Sequence, residues 1–348
     1  MPPITDHYGI AVGIDTYPSL RRLTSSVGDA TKFCEWLTDP EGGNIHPDNV
    51  KLVPSPQSGA GDRFDAKPIQ DEIDRVLRDF GAELGRRIGK RLYFYFAGHG
   101  FGPSFDEVGM LMANASMTSL SKNLGLRQYR DYFHETGLFD EVVFILDCCR
   151  DSARGKTTNA PEFEAKPVTG RVPHVVDFIV LAAAYGEKAF APLDEALGER
   201  RGILTTAVLE ALRGDLRALD PRGRVTTATL QDFVKGRVKD LATDEKLKQD
   251  PEIPQNPNLV LHEVDLSRIK RLKVHIIAPA SLTTGELIVR DADWGEIARR
   301  NVEQAREGAP WEMDLLPITR YVVEHSDSDV SRVLDPAKAK QEPHVFRL

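Results

Sequence analysis

The stretch Arg91-Leu-Tyr-Phe-Tyr-Phe-Ala-Gly-His-Gly100 decides the fold of this 348-residue chain. Its apolar and aromatic run continues to Ala97 without polar alternation, which is typical of a strand that other elements cover on both faces. A second run, Val142-Val-Phe-Ile-Leu146, has the same character, and polar residues follow it at once. We therefore predict two neighbouring central strands of a parallel sheet in an α/β domain.

Shorter apolar runs and helical patterns alternate on both sides of these two strands, as they do in a parallel sheet with helices on each face. Further strands are predicted over residues 8–14, 49–53, 178–182 and 258–261. Helical patterns cover residues 27–37, 68–85, 204–212 and 227–241. The sequence therefore predicts a mostly parallel six-stranded sheet flanked by helices.

The pattern changes at about residue 265. Short strands with alternating polarity are indicated over residues 272–277, 286–289 and 321–324, and turn residues separate them. We therefore expect an α/β domain over residues 1–264, followed by a small β-rich, sandwich-like domain over residues 265–348.

The composition excludes several broad classes of protein. Hydrophobic residues make up 41% of the chain and charged residues 28%, as in ordinary folded proteins. The net charge is −8 and no basic stripe is present, so binding to nucleic acid is not expected. No run approaches the roughly 20 apolar residues that span a bilayer, and the first residues do not resemble a signal peptide. We expect a cytoplasmic protein with no membrane partner.

The three cysteines are too few for a disulfide framework, which favours a reducing compartment. Cys34 falls on an apolar helical stripe with Ala30, Phe33 and Leu37 and is therefore expected in the core. Cys148 and Cys149 instead follow a central strand directly.

Reacting groups in open α/β sheets gather just beyond the carboxyl ends of the strands. His99 and the pair Cys148-Cys149 follow two such ends, where an imidazole could take the proton of a thiol nucleophile. Gly100 would let a substrate approach the backbone closely enough to accept an N–H hydrogen bond. The alternative is an ordinary loop histidine beside two buried cysteines, and the spacing alone does not say which thiol faces His99.

These residues resemble the caspase-like cysteine peptidases, most closely the metacaspases and the bacterial caspase homologues. The resemblance extends over about residues 6–262. It rests on Ala97-Gly-His-Gly100, Asp147-Cys-Cys-Arg150, Ala11-Val-Gly-Ile-Asp-Thr-Tyr-Pro18, Gly28-Asp-Ala30 and Gly202-Ile-Leu-Thr-Thr-Ala-Val-Leu-Glu-Ala-Leu212. It implies a caspase-like sheet with His99 and Cys149 as the catalytic dyad, and oxyanion donors from the backbones of Gly100 and Cys149.

The same resemblance bears on the specificity pocket. Caspases that cut after Asp carry Gln two residues before the nucleophile, whereas this chain has Asp147 there, and Asp29 matches a second acidic residue of the metacaspase S1 pocket. Carboxylates at these positions would repel acidic side chains and pair with Arg or Lys. Asp29 could instead only stabilise a helix N-terminus, and Asp147 could only orient loop amides.

The chain departs from the metacaspase pattern at two places. Residues 100–115 supply only Asp106 and Glu107 where many metacaspases carry a run of acidic residues that binds calcium, an ion that needs six to eight oxygen ligands. Ala97 replaces a common Ser before the histidine. We therefore expect no cofactor and no metal, and calcium dependence is not expected.

Basic residues in two loops resemble sites of self-processing in this family. They are Arg154, Lys156, Lys166 and Arg171 after the nucleophile, and Arg200 and Arg201 farther along. The alternative is that these side chains are simply solvated loop charges.

The resemblance implies a cysteine endopeptidase that cleaves proteins after Arg or Lys and acts in bacterial cell death or antiviral defence. One alternative is a catalytically silent caspase-fold module that recruits a regulatory partner through the C-terminal domain. Another is an esterase or acyltransferase that uses the same dyad.

Overall fold

The computed structural model of the protein describes residues 2–57, 62–163, 167–168, 174–194, 198–254, 256–338 and 342–348. These residues belong to two compact units. The first unit comprises Met1–Arg213 and Leu230–Leu259, and the second comprises Gly214–Thr229 and Val260–Leu348.

The first unit alternates strands and helices along the chain. Its strands are β1 (His7–Gly13), β2 (Val50–Pro54), β3 (Gly89–Ala97), β4 (Gly100–Gly102), β5 (Gly109–Leu111), β6 (Asn123–Gly125), β7 (Phe139–Asp147), β8 (Asp151–Ser152), β9 (Val176–Leu181), β10 (Leu193–Asp194) and β11 (Glu199–Arg200). The α-helices are α1 (Ser26–Thr38), α2 (Gln70–Asp79), α3 (Leu126–Thr136), α4 (Ile203–Leu212) and α5 (Thr227–Asp244), of which α5 begins within the second unit.

The central sheet has the order β2-β1-β3-β7-β9, and all its strands are parallel. The two strands that the sequence placed at the centre, β3 and β7, are indeed neighbours. Their buried side chains include Phe94 and Phe144, whose ring centroids lie 5.7 Å apart. The predicted α/β class with a central parallel sheet is thus confirmed.

Helix α1 covers one face of this sheet through Phe33 and Trp36. The Phe33 ring stacks on Tyr95 of β3 at 4.7 Å, and the Trp36 indole N–H donates to the carbonyl of Leu212. Cys34 is half-buried and not part of the core, because Trp36 takes the inward position beside Phe33 and Leu37. Burial still raises the pKa of the Cys34 thiol to about 12.

The strand predicted over residues 258–261 does not become a sixth strand of the central sheet. It forms β13 (Val260–Glu263), which pairs antiparallel with β12 (Arg224–Thr226) in the second unit. Beyond β9 the chain instead makes one antiparallel bridge, in which Leu181 and Glu252 exchange N–H···O bonds of 2.9 and 3.0 Å. Prolines at positions 251, 254 and 257 lack the N–H donors that a continuous ladder requires.

A smaller sheet, of order β6-β5-β4-β8, continues from the ends of β3 and β7. Strand β4 begins at Gly100, and β8 begins at Asp151, so this sheet carries the chain directly away from the predicted dyad. Helix α3, which the sequence patterns above do not include, follows β6 and buries Leu126, Tyr129 and Phe133.

The second unit is rich in β-structure, as predicted. Its remaining strands are β14 (Leu272–Ile277), β15 (Glu286–Arg290), β16 (Glu296–Asn301), β17 (Trp311–Leu315), β18 (Tyr321–His325), β19 (Ser331–Leu334) and β20 (His344–Arg347). They form a three-stranded sheet, β17-β14-β20, and a four-stranded sheet, β16-β15-β18-β19. Apolar side chains from both sheets share one buried cluster, as in a sandwich. No helix in the described part of the chain is long and apolar enough to cross a membrane.

Candidate active site

The ends of β3 and β7 bring His99 and Cys149 to the same edge of the central sheet. Ala97 is opposite Asp147 in the parallel register, and the Gly98 N–H donates to the Asp147 carbonyl at 3.3 Å. Since each chain then advances two residues, His99 and Cys149 occupy equivalent positions just beyond the sheet. This placement follows from strand register alone.

The His99 ring is held in a defined orientation. Its Nε2 lies 2.7 Å from the carbonyl oxygen of Arg21, which can only accept, so Nε2 carries a proton and Nδ1 keeps its lone pair. The His99 backbone N–H donates to the Tyr17 hydroxyl at 2.9 Å, and the two ring centroids lie 4.8 Å apart. Burial lowers the pKa of His99, which favours the neutral imidazole that a general base requires.

The two adjacent cysteines have different surroundings. Cys148 is 2% exposed, whereas Cys149 is half-buried. The Cys149 thiol forms two hydrogen bonds with Ala189. Its Sγ donates to the Ala189 carbonyl at 3.7 Å and accepts from the Ala189 N–H at 3.4 Å. Burial raises the pKa of both thiols, so Cys149 rests as a neutral thiol.

Gly100 is where β4 approaches the cysteine pair most closely. A Cβ at this position would lie 2.6 Å from Cys148 Sγ and 2.7 Å from the carbonyl oxygen of Cys149. Real Cβ contacts are not this short, so only glycine lets the backbone after His99 lie against the backbone that carries the thiol. The absence of a side chain at Gly100 therefore lets the segment after His99 pack against Cys148 and Cys149.

Two buried carboxyl groups converge on the N-terminus of α4. The Gly202 N–H donates to Asp29 Oδ2 at 2.8 Å, while Thr205 donates to Asp147 Oδ2 from its backbone N–H at 3.1 Å and from its hydroxyl at 2.6 Å. A Cβ on Gly202 would lie 3.1 Å from Asp29 Oδ2 and would overlap Asp147 Oδ2. Asp29 is 2% exposed and Asp147 is 8% exposed. We call Asp29 and Asp147 the acid pair.

The acid pair is not fully satisfied. Asp29 Oδ1 is buried and has no hydrogen-bond partner among the described residues. Burial and the nearby Asp147 raise the pKa of Asp29 to about 7, against the smaller opposing effects of the Gly202 N–H, Arg201 and Lys32. Burial also raises the pKa of Asp147, although both Thr205 hydrogen bonds oppose this. A cationic partner would neutralise the repulsion between these carboxyl groups and would offer a donor to the buried Oδ1 atom.

A cleft of about 640 Å³ lies against the outer face of α1, and neither member of the acid pair lines it. Its lining includes Gly28, the residue before Asp29, and extends to the loops that follow β1 and β2 and to the β10–β11 hairpin. Lys32 and Glu199, which both line it, form an ion pair at 2.6 Å. The cleft is large enough for several residues of an extended peptide.

The predicted self-processing residues have different environments. Arg154 and Lys156 are exposed on a turn just after β8, and Arg200 is exposed on β11. Arg201 is half-buried next to Gly202. Lys166 and Arg171 lie outside the described residues.

The two acidic residues after His99 do not form a cluster. Asp106 is exposed and accepts from the Ser104 hydroxyl, whereas Glu107 is buried and accepts from the N–H groups of Val108 and Arg127 and from the Thr158 hydroxyl. No group of three or more His, Cys, Asp or Glu side chains in the described ranges is arranged to hold a metal ion.

Several residues of this site were not identified from the sequence. Tyr17 lies within the quoted stretch Ala11–Pro18, but nothing local indicates that its hydroxyl would accept from His99. Gly202 and Thr205 both lie in the stretch Gly202–Leu212 that carries the resemblance, but nothing in that stretch indicates their bonds to Asp29 and Asp147. No pattern indicates the role of the Arg21 carbonyl, because its partner His99 lies far away in the chain.

Comparison with known proteins agrees with this architecture. The model of the caspase domain family matches residues 7–260, which is more than half of the chain. A probable protease from a Desulfuromonadales bacterium is 32% identical over 216 residues, which cover 60% of this chain and 26% of that protein. This chain therefore spans only about a quarter of that relative's length.

Among solved structures, the crystal structure of caspase-1 from Spodoptera frugiperda is 16% identical, with a TM-score of 0.46 over 76% of this chain and 93% of that chain. The family assignment rests on the match to the caspase domain over residues 7–260. The parallel sheet, whose strand ends bring a histidine and a cysteine to one edge, is consistent with it. The chain belongs to the caspase domain family of peptidases.

Proposed function

We propose that this protein is a cysteine endopeptidase that cleaves polypeptides after Arg or Lys, with Cys149 as the nucleophile and His99 as the general base and acid. The observation that carries the specificity is the acid pair, in which Asp29 leaves a buried oxygen without a partner beside the Gly202 position. A guanidinium or ammonium group would offer donors to that oxygen, whereas an acidic side chain would add a third negative charge.

The resting site is neutral, and this determines the first step. The Cys149 thiol bonds to Ala189, so it must turn toward His99 Nδ1 when a substrate displaces that contact. Transfer of the thiol proton to Nδ1 then gives a thiolate and an imidazolium, and the Arg21 carbonyl stabilises the imidazolium through Nε2.

The remaining steps follow from this proton transfer. The thiolate attacks the peptide carbonyl, and the backbone N–H groups of Gly100 and Cys149 are proposed to stabilise the oxyanion. The C–N bond breaks as the imidazolium gives its proton to the leaving amine. Water then hydrolyses the thioester, with His99 as the base, and restores the thiol.

Self-processing is part of the proposal, at Arg154 or Lys156 first. Both residues lie on an exposed turn between β8 and Asn159, whose side chain donates to Gln70 and to the Ser121 carbonyl. A nick between these anchored segments would leave both ends in place. Intact-mass analysis of wild type and Cys149→Ala tests this step, and identical masses over time would contradict it.

Hydrolysis of fluorogenic peptides tests the main proposal. Peptides that end in Arg, Lys, Asp or Leu are each assayed with wild type, Cys149→Ala and His99→Ala. The control is Cys34→Ala, which removes a thiol outside the site. We expect turnover of the Arg and Lys peptides by wild type and the control only. Parallel assays with added calcium and with a chelator test the expected lack of calcium dependence.

Two other functions make different predictions in these assays. A silent partner-binding module would give no turnover under any activating condition. An esterase or acyltransferase would turn over acyl esters, or transfer the acyl group to added amines, in preference to peptide hydrolysis. The required free thiol fits a reducing compartment such as the cytoplasm, and a role in bacterial cell death or defence is tested by profiling the proteins that are cleaved in cells.

A further inference from the structure

Two aromatic rings lie in the loops that follow β4 and β9, near the strand ends that carry His99 and Cys149. Phe105 is 72% exposed, and its ring centroid is 4.4 Å from that of Tyr185, which is half-buried. We call these two rings the aromatic platform. The two rings are tilted at 46° to each other, and a large exposed ring packed against a second ring offers an apolar surface whose exposure to water is unfavourable.

The platform is tied to the nucleophile through Arg150, the residue after Cys149. The Arg150 side chain is 1% exposed, donates to the Phe105 carbonyl at 2.6 Å and pairs with Glu252. Its backbone exchanges hydrogen bonds of 2.9 Å with Gly186 and Glu187, next to Tyr185. The backbones that carry the two rings are therefore both held by one buried residue next to the thiol.

The ring of Tyr185 is fixed against the small sheet. Its hydroxyl bonds to the Ser152 hydroxyl at 2.8 Å and accepts from Arg154 Nε at 3.4 Å. A Cβ on Gly102 would lie 2.9 Å from the Tyr185 ring, so glycine is required for the ring to lie on β4. Since Gly102 pairs with Ser152, the platform is a built feature of the paired strands β4 and β8.

The position of the platform relates it to one side of the scissile bond. Asp147 of the acid pair ends β7 and precedes Cys149, whereas Phe105 follows His99 beyond β4 and Tyr185 follows β9, the neighbour of β7. A substrate with its basic side chain at the acid pair and its carbonyl at Cys149 continues, on the leaving-amine side, toward His99 and β4. From Gly100 to Gly102 is two residues, about 7 Å, which is within reach of the first residues after the cleaved bond.

We infer that the aromatic platform binds a large apolar side chain, such as Leu, Met or Phe, at the first residue after the scissile bond. This inference rests on the proposed endopeptidase activity. The charges near the platform do not select for either sign, because Asp106, next to Phe105 in the chain, pairs with Arg127 at 3.5 Å, and the cationic Arg154 bonds to the Tyr185 hydroxyl. Apolar contact with the rings is therefore the interaction that discriminates.

Internally quenched peptides test this inference directly. Two peptides carry Arg before the scissile bond and differ only in the next residue, which is Leu in one and Gly in the other. With wild type we expect kcat/KM for the Leu peptide to exceed that for the Gly peptide by about five- to tenfold. With Phe105→Ala this ratio should fall close to 1, whereas the control Phe64→Ala, which removes an 82% exposed ring from another loop, should keep the wild-type ratio.

The outcomes separate the inference from the proposed function. Two results would overturn the aromatic platform as a binding site and leave the peptidase proposal intact. One is a wild-type ratio near 1, and the other is a Phe105→Ala variant in which kcat/KM falls by the same factor for both peptides. Failure of wild type to cleave any Arg peptide would overturn both. Thermal unfolding of each variant confirms that the comparison is made on folded protein, and Tyr185→Phe should retain the ratio because it retains the ring.

Discussion

Asp29 and Asp147 come from α1 and β7, yet both carboxyl groups lie where a Cβ on Gly202 would point, just before α4 begins. Asp29 accepts from the Gly202 N–H, and Asp147 accepts twice from Thr205, one turn into the same helix. The helix N-terminus thus partly stabilises two charges that burial disfavours. It leaves one buried oxygen, Asp29 Oδ1, without a hydrogen-bond partner among the described residues.

The affinity for Arg and Lys peptides should depend on pH through Asp29. Its pKa of about 7 means that it is protonated in acid and ionised above neutrality, with Asp147, Arg201 and Lys32 as the charges that face it. We expect KM for an Arg peptide to fall as the pH rises through about 7 and to level off above it. Asp29→Asn should raise KM and flatten this dependence, measured from pH 5.5 to 8.5. A variant that keeps the wild-type KM profile would contradict the assignment.

The same carboxyl group should cost stability at high pH. A pKa raised from 3.8 to about 7 means that the folded state binds the proton more tightly than the unfolded state, so stability is lost as the pH rises from about 4 to about 7. The loss is complete above about 7 and amounts to at most about 4 kcal/mol. We expect Asp29→Asn to raise the melting temperature at pH 8 and to change it much less at pH 4. An equal shift at both pH values would argue against a buried, destabilised carboxylate.

Gly202 should not tolerate a side chain. In Gly202→Ala the new Cβ overlaps Asp147 Oδ2, which the Thr205 hydroxyl holds in place, so the acid pair must move. We expect kcat/KM on Arg peptides to fall by about 100-fold. The matched control is Gly236→Ala on α5, where nothing lies within 4 Å of the new Cβ and a helical alanine should add about 0.5–1 kcal/mol of stability. Equal activities of the two variants would refute this role of Gly202.

Tyr17 should act as a positioning residue for His99. Its hydroxyl accepts from the His99 N–H and donates to the Leu111 carbonyl, so Tyr17→Phe removes a hydrogen-bond partner from each of these backbone groups. We expect a loss of about 1–3 kcal/mol in stability and a roughly tenfold lower kcat with little change in KM. Tyr8→Phe is the control, since the Tyr8 ring packs on Phe80 and Phe139. A Tyr17→Phe variant with altered KM and normal kcat would exclude the positioning role.

Much of the fold could be predicted because the local patterns agree with the tertiary structure. The runs that became β3 and β7 are apolar throughout, and burial on both sheet faces is the condition under which such runs are stable in water. One prediction was wrong at residues 258–261. A strand does form there, but it pairs with β12 and not with the central sheet. The choice of partner depends on the proline-rich stretch before this strand and on β12. Neither can be read from the apolar residues of the strand itself.

The sequence by itself determined that a histidine and a cysteine pair follow two central strands, because strand order and register place both ends at one edge of the sheet. The resemblance of the sequence to the caspase-like peptidases also identified Asp29 and Asp147 as candidate residues of the specificity pocket. Only the tertiary structure decided that Cys148 is buried while Cys149 contacts Ala189, that the Arg21 carbonyl fixes the proton on His99, and that both carboxyl groups meet at Gly202. These relations join residues far apart in the chain, so their energies depend on burial and distance that no local pattern specifies.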